Sequence, residues 1–125
     1  MMNDSKNGQT IQVVIVKAWI PRKKFEIPVA HLGFFPADAL GARGKADQEK
    51  YPPNGKPIEF DYGIVKGYGV IKSTRDVATR LSGAMRPRDN SKMGQFLEGN
   101  NFEIGDIVCI TRTGERNYKV SLVKR

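Results

Sequence analysis

The chain has 125 residues, 39% of them hydrophobic and 27% charged, which suits about one domain because single domains commonly run to roughly 100–200 residues. Its apolar runs, such as 13–16, are far shorter than the roughly 20 residues that span a bilayer. We see no signal-peptide pattern, and one cysteine excludes an internal disulfide framework and the usual zinc clusters. The net charge of +8 and pI near 9.8 make nucleic acid a candidate partner. We expect a cytoplasmic domain that binds neither membrane nor metal.

The first part of the chain predicts two strands and a brief helix. β-Branched and apolar residues over 10–19 predict a buried strand that Pro21 ends. The segment 25–28 predicts a short second strand closed by its proline. Apolar residues at helical spacing predict a helix over 29–35. Small and polar residues over 36–55 predict a surface loop with at most one helical turn.

Four more strands and one helix are predicted after the loop, with a turn at Gly114: strands at 58–62, 68–71, 107–110 and 118–123, and the helix at 92–99. The basic stretch 74–92 has too little apolar content for continuous core. Many short strands without long alternating helices favour an antiparallel barrel over a parallel α/β sheet. We count about seven short strands, six of them placed above, and two short helices. The predicted fold is mainly β, a seven-stranded open antiparallel β-barrel with two short helices, forming one domain over 1–125.

Side chains suited to catalysis are sparse. His31 lies in an apolar stretch that predicts a partly buried helix residue, and Cys109 lies in a strand where a thiol acts as a small hydrophobe. Whether these two meet in space for Cys–His catalysis is left open. Glu59 and Asp61 share one strand face and could bind a divalent metal, but a solvated face explains them better. The glycines at 63–69 lack the ending of a phosphate-binding loop. We expect no catalytic residue, metal, cofactor or small-molecule substrate in this domain.

Positive charge is concentrated in two segments that are expected to connect strands. The segment 17–24 carries four cations, no acid and Trp19, and the segment 72–92 carries six cations against two acids. Together they carry +8, the net charge of the whole chain. Two such loops could grip a duplex from two sides, with phosphate contacts supplying affinity and a few side chains reaching base edges. The cations are Lys17, Arg22, Lys23 and Lys24, then Lys72, Arg75, Arg80, Arg86, Arg88 and Lys92.

Asp76 stands out because an acid at a DNA surface is repelled by phosphate. It follows Arg75 directly in the second basic segment. A carboxylate there could accept a hydrogen bond from cytosine N4. An intramolecular role is equally consistent with the sequence, in which Asp76 orients Arg75 or Arg80.

Two stretches carry a distinctive order of residues. The first, 25–36, has the sequence FEIPVAHLGFFP, a strand ending in Ile-Pro before a short helix and Phe-Pro. The second, 93–108, has the sequence MGQFLEGNNFEIGDIV, a helix with a central Phe, an Asn-containing turn and Gly-Asp-Ile-Val opening a strand. Both resemble the DNA-binding pseudobarrel superfamily. That superfamily unites the DNA-binding domains of plant auxin-response and abscisic-acid-type (B-three-type) transcription factors with the N-terminal effector or recognition domains of EcoRII-like restriction endonucleases.

The resemblance implies a wrench-like grip on double-stranded DNA through two arms. The first arm would contain Lys17, Trp19, Arg22, Lys23 and Lys24. The second would contain Lys72, Thr74, Arg75, Asp76 and Arg80, whose mixed charges are similar to the restriction-enzyme branch. Additional phosphate contacts are expected from Arg86, Arg88, Asn90 and Lys92. The plant branch usually has Gly-Trp where this chain has Met93-Gly94, and the segment 80–92 is long, so the restriction branch fits better.

We therefore expect a sequence-specific recognition module that reads the major groove and does not itself cut DNA. It would be the target- or effector-binding domain of a bacterial type II restriction endonuclease in a restriction–modification system. A catalytic domain elsewhere in the same chain would then require Mg²⁺. The alternatives are a small endoribonuclease toxin on an SH3-like barrel and a single-strand binder on an OB-type barrel. The latter needs exposed aromatics, whereas Phe25, Phe34, Phe35 and Phe96 are predicted to be core.

Overall fold

Strands dominate the computed structural model, which describes residues 7–41, 56–73, 85–89 and 91–125. The strands are β1 (Thr10–Val14), β2 (Leu40–Gly41), β3 (Ile58–Asp61), β4 (Lys66–Ser73), β5 (Met85–Arg88), β6 (Ile107–Gly114) and β7 (Asn117–Val123). One α-helix, α1, spans Lys92–Gly99. Three 3-10 helices span Lys17–Trp19, Val29–Phe34 and Ala37–Ala39. In this part of the chain, no helix is both long and apolar enough to cross a membrane.

The described strands form a curled, barrel-like sheet of mixed direction. Six follow the order β1-β6-β7-β3-β4-β2, and β5 pairs with β4 outside that path. The mainly β, barrel-like class is confirmed, but the purely antiparallel barrel is wrong, because β3 pairs in parallel with β7 and β2 with β4. The hairpins β3–β4 and β6–β7 are each antiparallel. The two hairpins join through β3, the first strand of one, and β7, the second strand of the other. These two strands run in the same direction.

Alternating side chains explain the strands, and helical spacing explains α1. In β3, Ile58 and Phe60 point into the core while the two acids between and after them are half-buried. On α1 the buried residues are Met93, Phe96 and Leu97, which lie on one face at spacings of three and four. The helix predicted over 92–99 is therefore confirmed, and the strand predicted over 58–62 is confirmed over Ile58–Asp61.

An aromatic cluster fills the centre of the barrel. The Tyr118 ring lies 5.5 Å from the Phe34 ring and 4.9 Å from the Phe35 ring, measured between centroids. The Tyr62 ring stacks on Phe96 at 5.0 Å. The Tyr118 hydroxyl donates a hydrogen bond to the Phe34 carbonyl oxygen at 3.0 Å, so the one polar atom of that side chain is satisfied inside the core.

Several predicted elements differ from the structure. The first strand ends at Val14, and after two residues without regular structure a 3-10 helix forms at Lys17–Trp19. The segment 25–28 forms a single β-bridge at Ile27 in place of a strand, although Phe25 and Ile27 are fully buried, because apolar alternation reports burial more than continuous pairing. The helix over 29–35 is a 3-10 helix. The strand β5 was not predicted, since its sequence MRPR is typical of a loop and only pairing with β4 makes it a strand.

Candidate nucleic-acid interface

The first arm, residues 17–24, is a tight turn on the surface at the end of β1. A 3-10 helix at Lys17–Trp19 leads into a turn in which the Ile20 N–H bonds to the Lys17 carbonyl at 3.2 Å and the Lys23 N–H to the Ile20 carbonyl at 3.2 Å. Lys23 has a φ of +49°, a left-handed backbone conformation that residues other than glycine seldom adopt. Lys17, Arg22 and Lys23 are exposed, so these three cations can meet a ligand.

Two members of the first arm turn inward instead. Lys24 is only 6% exposed, and its ammonium contacts the Glu26 carboxylate at 2.5 Å. Trp19 is half-buried and packs against the hydrophobic core. The turn around Lys23 thus leaves Arg22 and Lys23 exposed while Lys24 is buried. We infer that Lys24 contributes to the stability of the fold.

The second arm is built on the antiparallel pair β4–β5. Lys72 of β4 lies directly opposite Arg86 of β5 in the register. The predicted contact residues Thr74, Arg75, Asp76 and Arg80 lie outside the described residues, as does Asn90. The structure therefore describes the base of this arm, and the readout predicted for its tip stays a prediction. Of the predicted phosphate contacts, Arg88 ends β5 and is exposed, and half-buried Lys92 begins α1.

A cleft of about 650 Å³ brings the first arm together with the base of the second. One wall is the first arm with Arg22, Lys23 and Lys24. The end of β5 and residues of α1 line the rest of the cleft. Segments more than 60 residues apart in sequence therefore present cations to one cleft. The two basic clusters predicted the cations but not this common cleft. The remaining lining residues are Pro87, Arg88, Asp89, Ser91, Met93, Gly94, Gln95 and Glu98.

Asp89 holds the junction between β5 and α1. Its carboxylate is 3% exposed; one oxygen accepts from the Tyr62 hydroxyl at 2.5 Å and the other from the Met93 N–H at 3.2 Å. The second contact caps the first turn of α1. Ser91, at the N-cap position, makes no side-chain cap bond of its own. Burial raises the pKa of Tyr62 well above its usual value, and the negative charge of Asp89 and their hydrogen bond raise it further.

Two glycines of β4 let this junction close. A Cβ on Gly67 would lie 2.7 Å from an Asp89 carboxylate oxygen, and a Cβ on Gly69 would lie 1.8 Å from the Arg88 carbonyl oxygen. Side chains at these positions would push β5 away from β4. The orientation of the second arm therefore depends on the absence of side chains here.

Helix α1 also contacts the first arm. The Phe25 N–H points at the Met93 sulfur at 3.5 Å, and the Lys23 carbonyl lies 3.5 Å from the position of a Cβ on Gly94. The Lys23 ammonium lies 2.9 Å from a Glu98 carboxylate oxygen, and both side chains are about half exposed. One helix thus supports both arms, and its acid at position 98 balances one cation of the cleft.

No hydrogen bond or ion pair links the candidate catalytic side chains to one another among the described residues. His31 lies in the Val29–Phe34 helix and Cys109 in β6, and both are half-buried. Glu59 accepts from the Tyr68 hydroxyl at 3.1 Å, whereas Asp61 accepts from the Gly63 N–H at 2.9 Å. Among the described residues, no group of three or more His, Cys, Asp or Glu side chains could hold a metal ion.

Comparison with solved structures finds the same fold in two proteins of different origin. The N-terminal domain of Helicobacter pylori LlaJI.R1 is similar over 92% of this chain and 87% of its own, with a TM-score of 0.55 and 13% identity. The hypothetical Arabidopsis thaliana protein At1g16640.1 is similar over 97% of this chain and 95% of its own, with a TM-score of 0.55 and 15% identity. No family model matches the chain, and no curated protein matches its sequence.

These likenesses support a pseudobarrel fold of the B-three type. At such low identity they bear on the fold alone, which agrees with the resemblance drawn from the two sequence motifs. Sequence analysis missed the roles of Tyr62, Asp89 and Glu98 in the candidate interface. The only signal for Asp89 was its place just before a helix, where an acid commonly caps the first turn.

Proposed function

We propose that this chain is a double-stranded DNA recognition domain that holds the duplex between its two arms. The observation that carries the proposal is the cleft that Arg22 and Lys23 of the first arm line together with Arg88 at the base of the second. A surface that neutralises several phosphates releases their counterions and gains affinity without reading sequence. Base contacts would come from the tip of the second arm, where Arg75 suits guanine and Asp76 suits cytosine.

The burial of the four phenylalanines that were predicted to be core supports a duplex over a single strand as the ligand, although Tyr68 on β4 is 61% exposed. Phe25, Phe34, Phe35 and Phe96 are at most 8% exposed. Single-strand binders stack bases on aromatic side chains that solvent can reach. In the described residues no hydrogen bond joins His31 or Cys109 to an acid, which gives an endoribonuclease no visible acid–base pair there.

We further propose that the domain is a non-catalytic module of a restriction endonuclease of the type II class. Support comes from the resemblance of 25–36 and 93–108 to that branch, together with a structural neighbour that is itself an N-terminal domain. Cleavage, with its Mg²⁺, would belong to a catalytic domain outside these 125 residues. The module would serve as the target- or effector-binding part of such an enzyme.

The test is selection of bound duplexes from a randomised library at moderate salt, followed by sequencing. Enrichment of one short motif that contains G·C pairs, lost in Arg75→Ala or Asp76→Ala, is the expected result. Arg22→Ala should weaken binding to all sequences equally, because it removes a phosphate contact. Lys119→Ala is the matched control, since Lys119 is an exposed cation on β7 away from the cleft. Retention of single strands or cleavage of RNA in place of duplex binding would contradict the proposal.

A further inference from the structure

We propose that Glu98 competes with the DNA backbone for Lys23, and so sets the affinity and salt dependence of the interface. The inference rests on the proposed function, because it names a control on the same cleft. Glu98 touches no described group other than Lys23 through its carboxylate, and both residues line the cleft. To place its ammonium on a phosphate, Lys23 must exchange one negative partner for another.

The main chain of Lys23 is fixed while its side chain is not. The Lys23 N–H bonds to the Ile20 carbonyl, and the Lys23 carbonyl lies against Gly94 of α1. The side chains of Lys23 and Glu98 are 51% and 56% exposed. The ammonium is therefore tethered at the cleft but held there only by a solvated ion pair, which water screens strongly.

The neighbouring pair of Lys24 and Glu26 provides the contrast within the same arm. Those side chains are 8% and 18% exposed, so removal of Lys24 to a phosphate would leave a buried carboxylate without its cation. Exchange of the carboxylate partner for a DNA phosphate is therefore unfavourable for Lys24 and feasible for Lys23. Of the two acids in the cleft lining, Asp89 is engaged by Tyr62 and α1, which leaves Glu98 as the acid that can release a cation.

The charge of the cleft gives the direction of the effect. The charged groups that line the cleft with Lys23, among the described residues, are the cations Arg22, Lys24 and Arg88 and the acids Asp89 and Glu98. Because Glu98 neutralises Lys23, Glu98→Gln should add one cation that is available to phosphate. We expect binding to a duplex up to about fivefold tighter at low salt, the range set by exposed ion pairs. The slope of log affinity against log salt should steepen by about 0.9, one further counterion.

The experiment measures the affinity for a mixed-sequence duplex across a salt series, for the whole chain and a double-mutant cycle. The variants are Glu98→Gln, Lys23→Met and the double variant, and the matched control is Glu103→Gln. Glu103 is also an exposed acid paired with a lysine, Lys124 at 3.3 Å, but it lies outside the cleft lining. The expected result is a gain from Glu98→Gln that disappears in the Lys23→Met background, with no such gain from Glu103→Gln.

Two results would overturn the inference while leaving the proposed function intact. One is an equal gain from Glu98→Gln with or without Lys23, which would show general repulsion of DNA by the acid. The other is unchanged or weaker binding by Glu98→Gln, which would show that the pair positions Lys23 instead. Failure of the unmodified chain to bind duplex at any salt would overturn the proposed function as well.

Discussion

The Tyr62 hydroxyl donates a hydrogen bond to the buried Asp89 carboxylate across the junction of β3, β5 and α1. Asp89 also caps α1 through the Met93 N–H at 3.2 Å. A single carboxylate thus fixes the strand that bears the second arm against the helix that supports the first. The geometry of the candidate interface depends on a side chain that solvent barely reaches.

Tyr62→Phe should destabilise the fold by about 2 kcal/mol, because hydrogen bonds to charged groups contribute roughly 1.5–3 kcal/mol when their partner stays buried. Urea unfolding measures this free energy. Tyr68→Phe is the control, since its hydroxyl donates to Glu59 on an exposed face and should change stability by less than about 0.5 kcal/mol. Equal effects of the two variants would contradict the assigned role of Asp89.

Gly69→Ala should be among the most damaging single-methyl changes in the chain. The added Cβ would lie 1.8 Å from the Arg88 carbonyl oxygen, and backbone cannot yield as a flexible side chain can. We expect a loss of about 3 kcal/mol or more of unfolding free energy, measured by thermal unfolding, together with weaker duplex binding as β5 shifts.

Gly33→Ala provides the comparison for Gly69→Ala. Gly33 has nothing within 4 Å of its Cβ position, so alanine there should be neutral or stabilise by up to about 1 kcal/mol. A stable Gly69→Ala protein with unchanged binding would show that the second arm does not depend on this close approach.

The sequence predicted the elements whose signal is local. Alternation found β3, and helical spacing found α1 with Phe96 and Leu97 inward. It could not show that hairpins would join through parallel strands, because that depends on which strands meet in three dimensions. β5 was missed for the same reason: Pro87 is tolerated in a strand that has β4 on one side only among the described residues.

The candidate site was predicted less completely than the fold. Charge clustering predicted a first arm over 17–24, but three consecutive cations at 22–24 carry no signal of which one is buried. That is decided by the left-handed backbone at Lys23, which turns Lys24 toward Glu26. The sequence likewise could not show that both basic segments line one cleft, because that depends on how the chain folds.

Asp106 should make stability fall in acid. Its side chain accepts from the Lys124 ammonium at 2.6 Å and from the N–H groups of Glu103 and Arg125. The hydrogen bond from Lys124 is the main cause that lowers the pKa of Asp106. Burial alone would raise this pKa, and the two backbone N–H groups lower it further. The unfolded chain thus binds the proton more readily, with a pKa of about 3.9. The stabilisation is complete above that value and is lost as the pH falls through the folded pKa.

Urea unfolding of the parent and of Asp106→Asn as the pH is lowered from about 6 to about 3 checks this expectation. The variant should be less stable near neutrality and lose less stability on acidification. Asp61→Asn is a suitable control, since Asp61 accepts one N–H, from Gly63, in a turn. Parallel acid limbs for the parent and Asp106→Asn would contradict the assignment.

Tyr118 should make stability fall in strong base. Burial raises its pKa to about 12, although Arg112 and Arg116 oppose the shift. In the unfolded chain the phenol ionises near pH 10, so its contribution to stability is present below that value and is lost as the pH rises toward 12. Tyrosinate absorbance should therefore show a phenol that stays neutral until the protein unfolds. In Tyr118→Phe the alkaline loss of stability should be smaller, and a phenol titrating at its ordinary pKa in the native protein would contradict this.

Arg22 and Lys24 should separate binding from stability, although they lie two residues apart in one arm. Arg22 is exposed in the cleft, so Arg22→Ala should leave unfolding within about 0.5 kcal/mol of the parent and weaken duplex binding with a shallower salt slope. Lys24→Met removes the cation from half-enclosed Glu26 and should lower the unfolding free energy by about 2 kcal/mol. The double variant Lys24→Met/Glu26→Leu removes both charges and should recover much of that stability. A contrary result would be a Lys24→Met variant that is as stable as the parent but binds duplex as weakly as Arg22→Ala. Lys24 would then be a DNA contact, and its inward orientation would not describe the bound state.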